Sequence, residues 1–239
     1  MDSKSSVNQT ELNKFNRTAE QWWDKTGEFK TLHQINPTRI EYVLTKINDH
    51  FISAPFAKLS LLDVGCGGGL ISVPMHKAGL NVTGLDANQQ NVTAAKENAN
   101  KYRLDINFIH NTVEQHAGSN NKYDVILCLE VIEHVDNPTE FLLNLASMLN
   151  QGGLLIISTI NRTIKSYLLA IVMAEYVLGW VPKKTHDYNK LIKPSQLVKM
   201  LSNTKLNLQE LRGLTLSLVS NEWHISNDID VNYFAVLQG

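Results

Sequence analysis

Short apolar runs of strand length recur at Leu59–Val64, Asn81–Asp86, Ile106–His110, Tyr123–Leu129 and Gly153–Thr159. Between them, Leu70–Ala78, Gln89–Tyr102 and Pro138–Leu149 space their apolar positions at the period of a helix. Strand and helix therefore alternate, which predicts right-handed βαβ units and a parallel sheet covered on both faces. Asn150-Gln-Gly-Gly153 is expected to end a helix as a glycine cap. Ahead of this core, Glu11–Trp23 carries Leu12, Phe15, Ala19, Trp22 and Trp23 at near-helical spacing. Pro37 suits the first turn of a helix over Thr38–Phe51. The alternation breaks over 160–193, a connection long enough to suggest a function of its own. It resumes with a helix at Pro194–Ser202 and strands near Leu206–Leu211 and Val231–Leu237. With no helix between them, those two strands predict an antiparallel hairpin at the sheet edge.

At 239 residues the chain is expected to form a single domain over 1–239, with 1–10 disordered and 11–51 as a helical cover. A net charge of −1 supplies no field for nucleic acid, so no nucleic-acid partner is expected. The two cysteines, Cys66 and Cys128, make no disulfide framework and are expected as buried thiols, in keeping with a reducing compartment. Met1–Thr10 has neither the apolar core of a signal peptide nor the character of a transit peptide. The expectation is a protein of the bacterial cytoplasm.

The chemistry begins where Leu61-Leu-Asp-Val-Gly-Cys-Gly-Gly-Gly69 ends an apolar run in glycines. Glycine lets a ligand come close to the backbone, because no Cβ stands in the way. Val82-Thr-Gly-Leu-Asp86 ends the next strand in an acid, where a carboxylate can accept both hydroxyls of a ribose. The alternative for Asp86 is a helix N-cap. Together the two features predict an adenosine-containing cofactor. The dinucleotide spacing G-x-G-x-x-G fails at Leu70, which disfavours a nicotinamide dehydrogenase. The pattern Asp63-x-Gly65-x-Gly67-x-Gly69 instead resembles motif I of the class I S-adenosylmethionine methyltransferases. That resemblance implies a Rossmann-like α/β fold. Its sheet would be seven-stranded and mostly parallel with an antiparallel last strand, helices on both faces and, in this chain, a helical insertion after strand five.

Trp22-Trp-Asp, Gly27-Glu-Phe, Leu32-His-Gln-Ile-Asn-Pro37, Arg39, Cys128-Leu-Glu-Val-Ile-Glu-His134, Ser158-Thr-Ile-Asn-Arg162, Thr185-His-Asp187 and Asp230-Val-Asn-Tyr233 resemble one subfamily. It is that of the ubiquinone-biosynthesis O-methyltransferases. The resemblance runs from about residue 11 to the end; Gln34 departs from it, since the family usually has Arg there. It implies an enzyme that methylates a polyprenyl catechol, 3-demethylubiquinol or both. By the same resemblance Arg39, Gly65, Gly67, Asp86 and Leu129 contact S-adenosylmethionine. Arg39 suits a two-point ion pair with the methionine carboxylate. Thr112, Val113 and Glu114 are expected either at the adenine edge or in an ordinary loop.

Glu130, Glu133 and His134 follow the fourth strand at i, i+3 and i+4, one face of a helical turn. The resemblance implies that they ligate magnesium and act in catalysis. A catechol hydroxyl has a pKa of about 10, as tyrosine does. A cation on its oxygens would favour the phenolate. Magnesium is nevertheless a hard ion for which His is an unusual ligand. Two alternatives stay open: His134 as a metal-free general base, or Glu130 and Glu133 capping a turn with His134 packed.

Tyr167–Val181 is apolar but for Glu175, and Lys183 and Lys184 follow. It is too short to span a bilayer and suits an interfacial helix, with Tyr176 and Trp180 at headgroup level. A substrate wall is the alternative. The expectation is peripheral contact with the inner membrane through 165–184, beside a polyprenyl phenol or quinol substrate and with other ubiquinone-biosynthesis proteins as further partners. Trp22 and Trp23 are expected to pack over the cofactor. Tyr233 suits either the site or the core. The rival functions are a C- or N-methyltransferase on another lipophilic substrate and a membrane-associated S-adenosylmethionine-binding protein without turnover.

Overall fold

A computed structural model of the chain describes residues 8, 21–177, 187–217 and 219–239. The expectations for 1–10 and for most of the Glu11–Trp23 helix lie outside the described residues, as do those for Trp180, Lys183, Lys184 and His186. The first helix, α1, spans Lys30–His50. Then come β1 (Ser60–Val64), α2 (Ser72–Lys77), β2 (Asn81–Asp86), α3 (Gln89–Lys101), β3 (Asn107–His110) and α4 (Val113–Ala117). They are followed by β4 (Tyr123–Leu129), α5 (Pro138–Ser147) and β5 (Leu149–Ile160). A helical turn, α6 (Ile164–Ser166), continues as a π-helical segment, Tyr167–Val177. The described chain ends with α7 (Pro194–Met200), β6 (Asn207–Ser217), β7 (Glu222–Ser226) and β8 (Asn232–Gln238).

The strands form one eight-stranded sheet in the order β3-β2-β1-β4-β5-β8-β6-β7. Strands β1 to β5 pair in parallel, as the alternation predicts. The sheet is Rossmann-like, with eight strands rather than the expected seven. The unforeseen strand is β7, which pairs antiparallel with the far end of β6 and forms the edge. The expected edge hairpin is also corrected: β8 lies inside the sheet, antiparallel to both β5 and β6. The reason is burial on both faces. Tyr233, Ala235 and Leu237 enter one core layer, while Phe234 and Val236 enter the other.

Two further expectations are corrected. Pro37 lies inside α1, not in its first turn. It has no N–H to give to the His33 carbonyl, a cost of about 3 kcal/mol in a helix interior. Burial of Ile35, Tyr42, Val43 and Ile47 against the sheet offsets it. Glycine 152 is not a helix cap, because α5 already ends at Ser147. It lies within β5 at φ +73°, where the register with β4 jumps from Tyr123↔Leu149 to Val125↔Leu154. The glycines make a bulge, not a cap.

In the insertion, Ile171 is buried with Ile160 and Leu191. Ile164, Tyr167, Leu168 and Leu169 are exposed. No helix of the described residues is long and apolar enough to cross a membrane.

Strand β2 carries the acid Asp86 to the sheet's carboxyl edge, and Gly84 sets its fit. A Cβ at Gly84 would lie 2.5 Å from the Phe108 ring and 3.0 Å from the Cys66 sulfur. Gly84→Ala is therefore expected to destabilise the fold by about 1–3 kcal/mol through overpacking. Urea unfolding monitored by circular dichroism checks this; a midpoint equal to that of the unsubstituted protein counts against it.

Candidate active site

The turn after β1 is held from below by the Leu85 carbonyl, which accepts from Gly65 N at 2.8 Å and Cys66 N at 3.1 Å. Gly65 and Gly67 have φ of +68° and +52°, the left-handed region that side chains disfavour. The turn is also pressed from above. A Cβ at Gly67 would lie 2.5 Å from the Trp22 ring, and one at Gly68 2.4 Å from the same side chain. Trp22 stacks on Phe29 with ring centroids 3.8 Å apart. The Trp23 indole N–H donates to the Gly68 carbonyl at 2.8 Å. The two tryptophans thus close on the glycine turn itself.

The tip of β2 is tied into the same place. Asp86 accepts from Gly67 N at Oδ2, 2.9 Å, and from Asn88 N at Oδ1, 2.7 Å. The N-cap of α3 is Asn88, whose side chain accepts from Gln90 N. This overturns the capping alternative for Asp86. Burial pushes the Asp86 carboxyl above the usual range, while the bonds from Asn88, Gly67 and Asn91 pull the other way. Beneath the turn, Asp63 is buried with a bond from the Ser72 hydroxyl at 2.6 Å. Burial raises its pKa to about 7.

At the carboxyl end of β4, Leu129 is half-buried and Glu130 adopts φ +56°. Such a conformation in a non-glycine residue is strained and persists only where its surroundings hold it. Here Glu130 N donates to the Ser158 carbonyl at 3.0 Å. Its Oε1 accepts from Arg39 Nη2 and from Ser158 Oγ, each at 2.8 Å. Arg39 reaches in from α1 and is buried, which lowers its pKa; the charges of Glu130 and Glu133 oppose that. Glu133 is 3% exposed. Burial first, then the Glu130 charge, raises its pKa to about 8. The Thr159 hydroxyl is near enough to temper the rise, though no well-aligned hydrogen bond joins them.

Several buried polar atoms of this region lack a protein partner: Asn36 Oδ1, Arg39 Nε, both carboxyl oxygens of Glu133, Thr159 Oγ1 and Asn161 Oδ1. A buried polar atom without a partner costs about 1–3 kcal/mol. Native proteins keep few, and such atoms call for an explanation. These sit on one face of α1, on the turn after β4 and at the end of β5. That is the carboxyl edge of the sheet, where open α/β folds take their ligands.

The metal expectation fares differently from the cofactor expectation. Glu130 is committed to Arg39 and Ser158. Burial and the Glu130 charge raise the Glu133 pKa to about 8, and His134 offers a borderline nitrogen ligand to an ion that prefers hard oxygens. Among the described residues no three His, Cys, Asp or Glu side chains are arranged to share a metal ion. As placed, Glu130, Glu133 and His134 do not fit magnesium.

Other side chains resolve into structural roles. Thr112 N-caps α4 in a capping box with Gln115. Tyr233 is fully buried and donates to the Ile192 carbonyl at 3.0 Å, a core tyrosine. His116 bonds the Tyr123 hydroxyl at 2.8 Å. Cys66 and Cys128 are buried free thiols, as expected, with pKa values raised by burial. Sequence reasoning missed Asn36, Asn91, Ser158, Thr159 and Asn161 as site residues. Ser158, Thr159 and Asn161 lay within a quoted segment, and their clustering after a central strand was the available signal.

The fold and the glycine turn with its neighbouring acid define a class I methyltransferase. A family model described as a methyltransferase domain matches residues 35–211. The chain is 50% identical over 233 residues to the ubiquinone biosynthesis O-methyltransferase of Rickettsia felis, covering 98% of this chain and 94% of that protein. It is 51% identical to the protein of the same name from Rickettsia typhi, covering 98% and 94%. The chain belongs to the ubiquinone biosynthesis O-methyltransferase family. Among solved structures, magnesium protoporphyrin IX methyltransferase of Synechocystis, with bound SAH, shares the fold. The TM-score is 0.64 and the identity 20%, over 95% of this chain and 94% of that one. The N-methyltransferase NodS of Bradyrhizobium japonicum does so at a TM-score of 0.62 and 14% identity, over 96% and 98%.

The raised carboxyls make stability depend on pH with a definite sign. Between the ordinary pKa of 4.5 and the folded value of about 8, Glu133 binds its proton more tightly when folded. Its contribution is complete below the lower value and is lost as pH rises through the upper one. Asp63 acts in the same direction up to about 7. Glu133→Gln should therefore flatten the decline in melting temperature between pH 5 and pH 8 and leave the Asp63 part. An unchanged slope in differential scanning fluorimetry would show that Glu133 is not held protonated.

Proposed function

We propose that the protein transfers the methyl group of S-adenosylmethionine to a hydroxyl of a polyprenyl catechol, of 3-demethylubiquinol, or of both in turn. One observation carries this reading. In a chain of this family, the acid-and-glycine turn stands beside a group of unpartnered buried polar atoms, Asn36, Arg39, Glu133, Thr159 and Asn161. Asp86 would hold the ribose hydroxyls, and the backbone at Gly65, Gly67 and Leu129 would pass close to the methionyl part. Arg39 keeps its Nε unbonded while Nη2 is on Glu130, which leaves a donor for the methionine carboxylate. When bound, S-adenosylmethionine supplies an electrophilic methyl group on sulfur.

The remaining work is positioning and proton removal, which set the rate of an in-line displacement. Thr159 and Asn161 offer hydrogen-bonding atoms for an acceptor hydroxyl. A catechol loses its proton at a pKa of about 10, out of reach of an ordinary carboxylate. Glu133, deprotonated, has a proton affinity far nearer to that value. His134, one residue on and half-buried, is the alternative base. Magnesium, which the family resemblance implies at Glu130, Glu133 and His134, does not fit those side chains as they stand.

A methyl-transfer assay on a short-tailed demethylated quinol tests the reading. Product is expected with the unsubstituted protein, with kcat reduced at least about a hundredfold in Glu133→Gln. No transfer to the quinol would overturn it. The same assay after EDTA, followed by magnesium titration, decides the metal: full activity of the stripped protein excludes a requirement, and restoration by magnesium establishes one.

We further propose that the exposed row Ile164, Tyr167, Leu168 and Leu169 rests in a lipid surface, which would bring the site to a bilayer-borne substrate at the bacterial inner membrane. Contacts with other ubiquinone-biosynthesis proteins belong to the same proposal. Ile171 is unsuited to the test because it packs internally. Replacing Ile164, Leu168 and Leu169 together by Ser should reduce co-sedimentation with liposomes and leave the melting temperature in place. Undiminished co-sedimentation would defeat the lipid reading.

A further inference from the structure

Asn91 is absent from every expectation drawn above, yet it stands between the two halves of the cofactor end. Its Oδ1 accepts from the Trp22 indole N–H at 2.9 Å. Its Nδ2 faces both oxygens of Asp86, at 3.4 and 3.3 Å. All three side chains are buried: Trp22 at 9%, Asn91 at 4% and Asp86 at 8% exposure. We propose that Asn91 is a positioning residue for the ribose-binding acid, set in its orientation by Trp22. The proposal rests on the reading of Asp86 as the acid that binds ribose.

The direction of this chain of bonds follows from donor and acceptor chemistry. An indole N–H can only donate, and an ionised carboxylate can only accept. The amide between them therefore has one satisfying orientation, oxygen to Trp22 and NH2 to Asp86. Flipping it would set donor against donor on one side and acceptor against acceptor on the other. Backbone bonds from Asn88 N and Gly67 N fix where the two Asp86 oxygens lie, one bond to each. Those two bonds already restrain the turning of the carboxylate plane about its bond to Cβ. The Asn91 NH2, set across both oxygens, adds a side-chain contact that opposes the same turning. A carboxylate held in plane presents its remaining lone pairs together, as the paired hydroxyls of a ribose require.

Trp22 makes the arrangement respond to the N-terminal cover. Its ring is clamped between Phe29, Leu70 and the glycine turn, and His33 bonds its carbonyl at 2.9 Å. A shift of the segment before α1 is thereby transmitted through one amide to the acid that grips the cofactor. The expected consequence is a change in cofactor affinity and in KM for S-adenosylmethionine, with kcat at saturation retained.

The experiment uses Asn91→Leu, which keeps bulk and removes the amide, and Trp22→Phe, which keeps the stack on Phe29 and removes the donor. Binding of S-adenosylhomocysteine and of its 2′-deoxy analogue is measured by calorimetry for each full-length protein, beside Asp86→Ala. In the unsubstituted protein the missing hydroxyl should weaken binding about tenfold. In Asn91→Leu, S-adenosylhomocysteine itself should bind about tenfold more weakly and the deoxy penalty should shrink to about twofold. Trp22→Phe should move both quantities in the same direction by less, and it carries the test should Asn91→Leu not fold. A merely structural Asn91 would weaken both ligands alike, and an undiminished deoxy penalty in folded variants overturns the proposal. Undiminished binding by Asp86→Ala would instead overturn the ribose reading on which it stands.

Discussion

The buried bond from Gly67 N to Asp86 joins the tips of two neighbouring parallel strands, and the carboxyl edge of the sheet is organised around it. In the sheet interior, β1 and β2 are held in register by their ladder. Beyond the last rung the ladder gives no instruction, and two chains leaving a parallel sheet diverge into separate crossovers. A carboxylate that accepts from the next turn's backbone extends the pairing by one further contact. It can do so only because the turn brings its N–H groups inward, through left-handed conformations at Gly65 and Gly67. The helix that follows β2 then begins at Asn88, which frees Asp86 from capping duty.

A second device of the same kind acts across β4 and β5. Glu130 leaves the ladder in a left-handed conformation and is secured on one side by the backbone and hydroxyl of Ser158, on the other by Arg39. The pair is partly buried, with the Glu130 side chain 23% exposed, and together with the Ser158 bonds it offsets a backbone strain of about 1–3 kcal/mol. The pair also fastens α1 over the edge. Helix and sheet are thus joined through a side chain of the candidate site, so the shape of that site and the docking of α1 are not independent quantities.

Much of this was legible in the sequence. Strands β1 to β4 are short apolar runs bounded by turn residues, and their period and limits are set locally. The glycine spacing and Asp86 are likewise local signals. What was not legible depended on partners distant in sequence. The length of α1 through Pro37 is decided by four apolar side chains meeting the sheet, a tertiary gain that overrides a local penalty. The bulge at Gly152 follows from register with β4, which no single strand encodes. Asn91, Thr159 and Asn161 are ordinary polar residues in a sequence; only their burial distinguishes them. Glu130 and Glu133 stood out by spacing, but i and i+3 on a helical face supposes a helix. The chain instead makes a short 3-10 turn, Ile132–His134, and the two carboxyls part: Glu130 bonds Arg39 and Ser158, while the Glu133 oxygens are buried without a hydrogen-bond partner.

The place of β8 between β5 and β6 has a consequence for synthesis. Strand β5 is a long central strand, yet its outer side is covered by β8, which follows β6 and β7 in the sequence. While the ribosome is still making β6 and β7, the parallel half of the sheet already has its sequence in full. Its apolar edge must then wait, unpaired, for residues Asn232–Gln238. Exposed edges of that kind recruit other chains. Closing the fold is therefore an act of Asn232–Gln238, and a chain interrupted before them would carry a nearly complete methyltransferase sheet with its most adhesive strand uncovered.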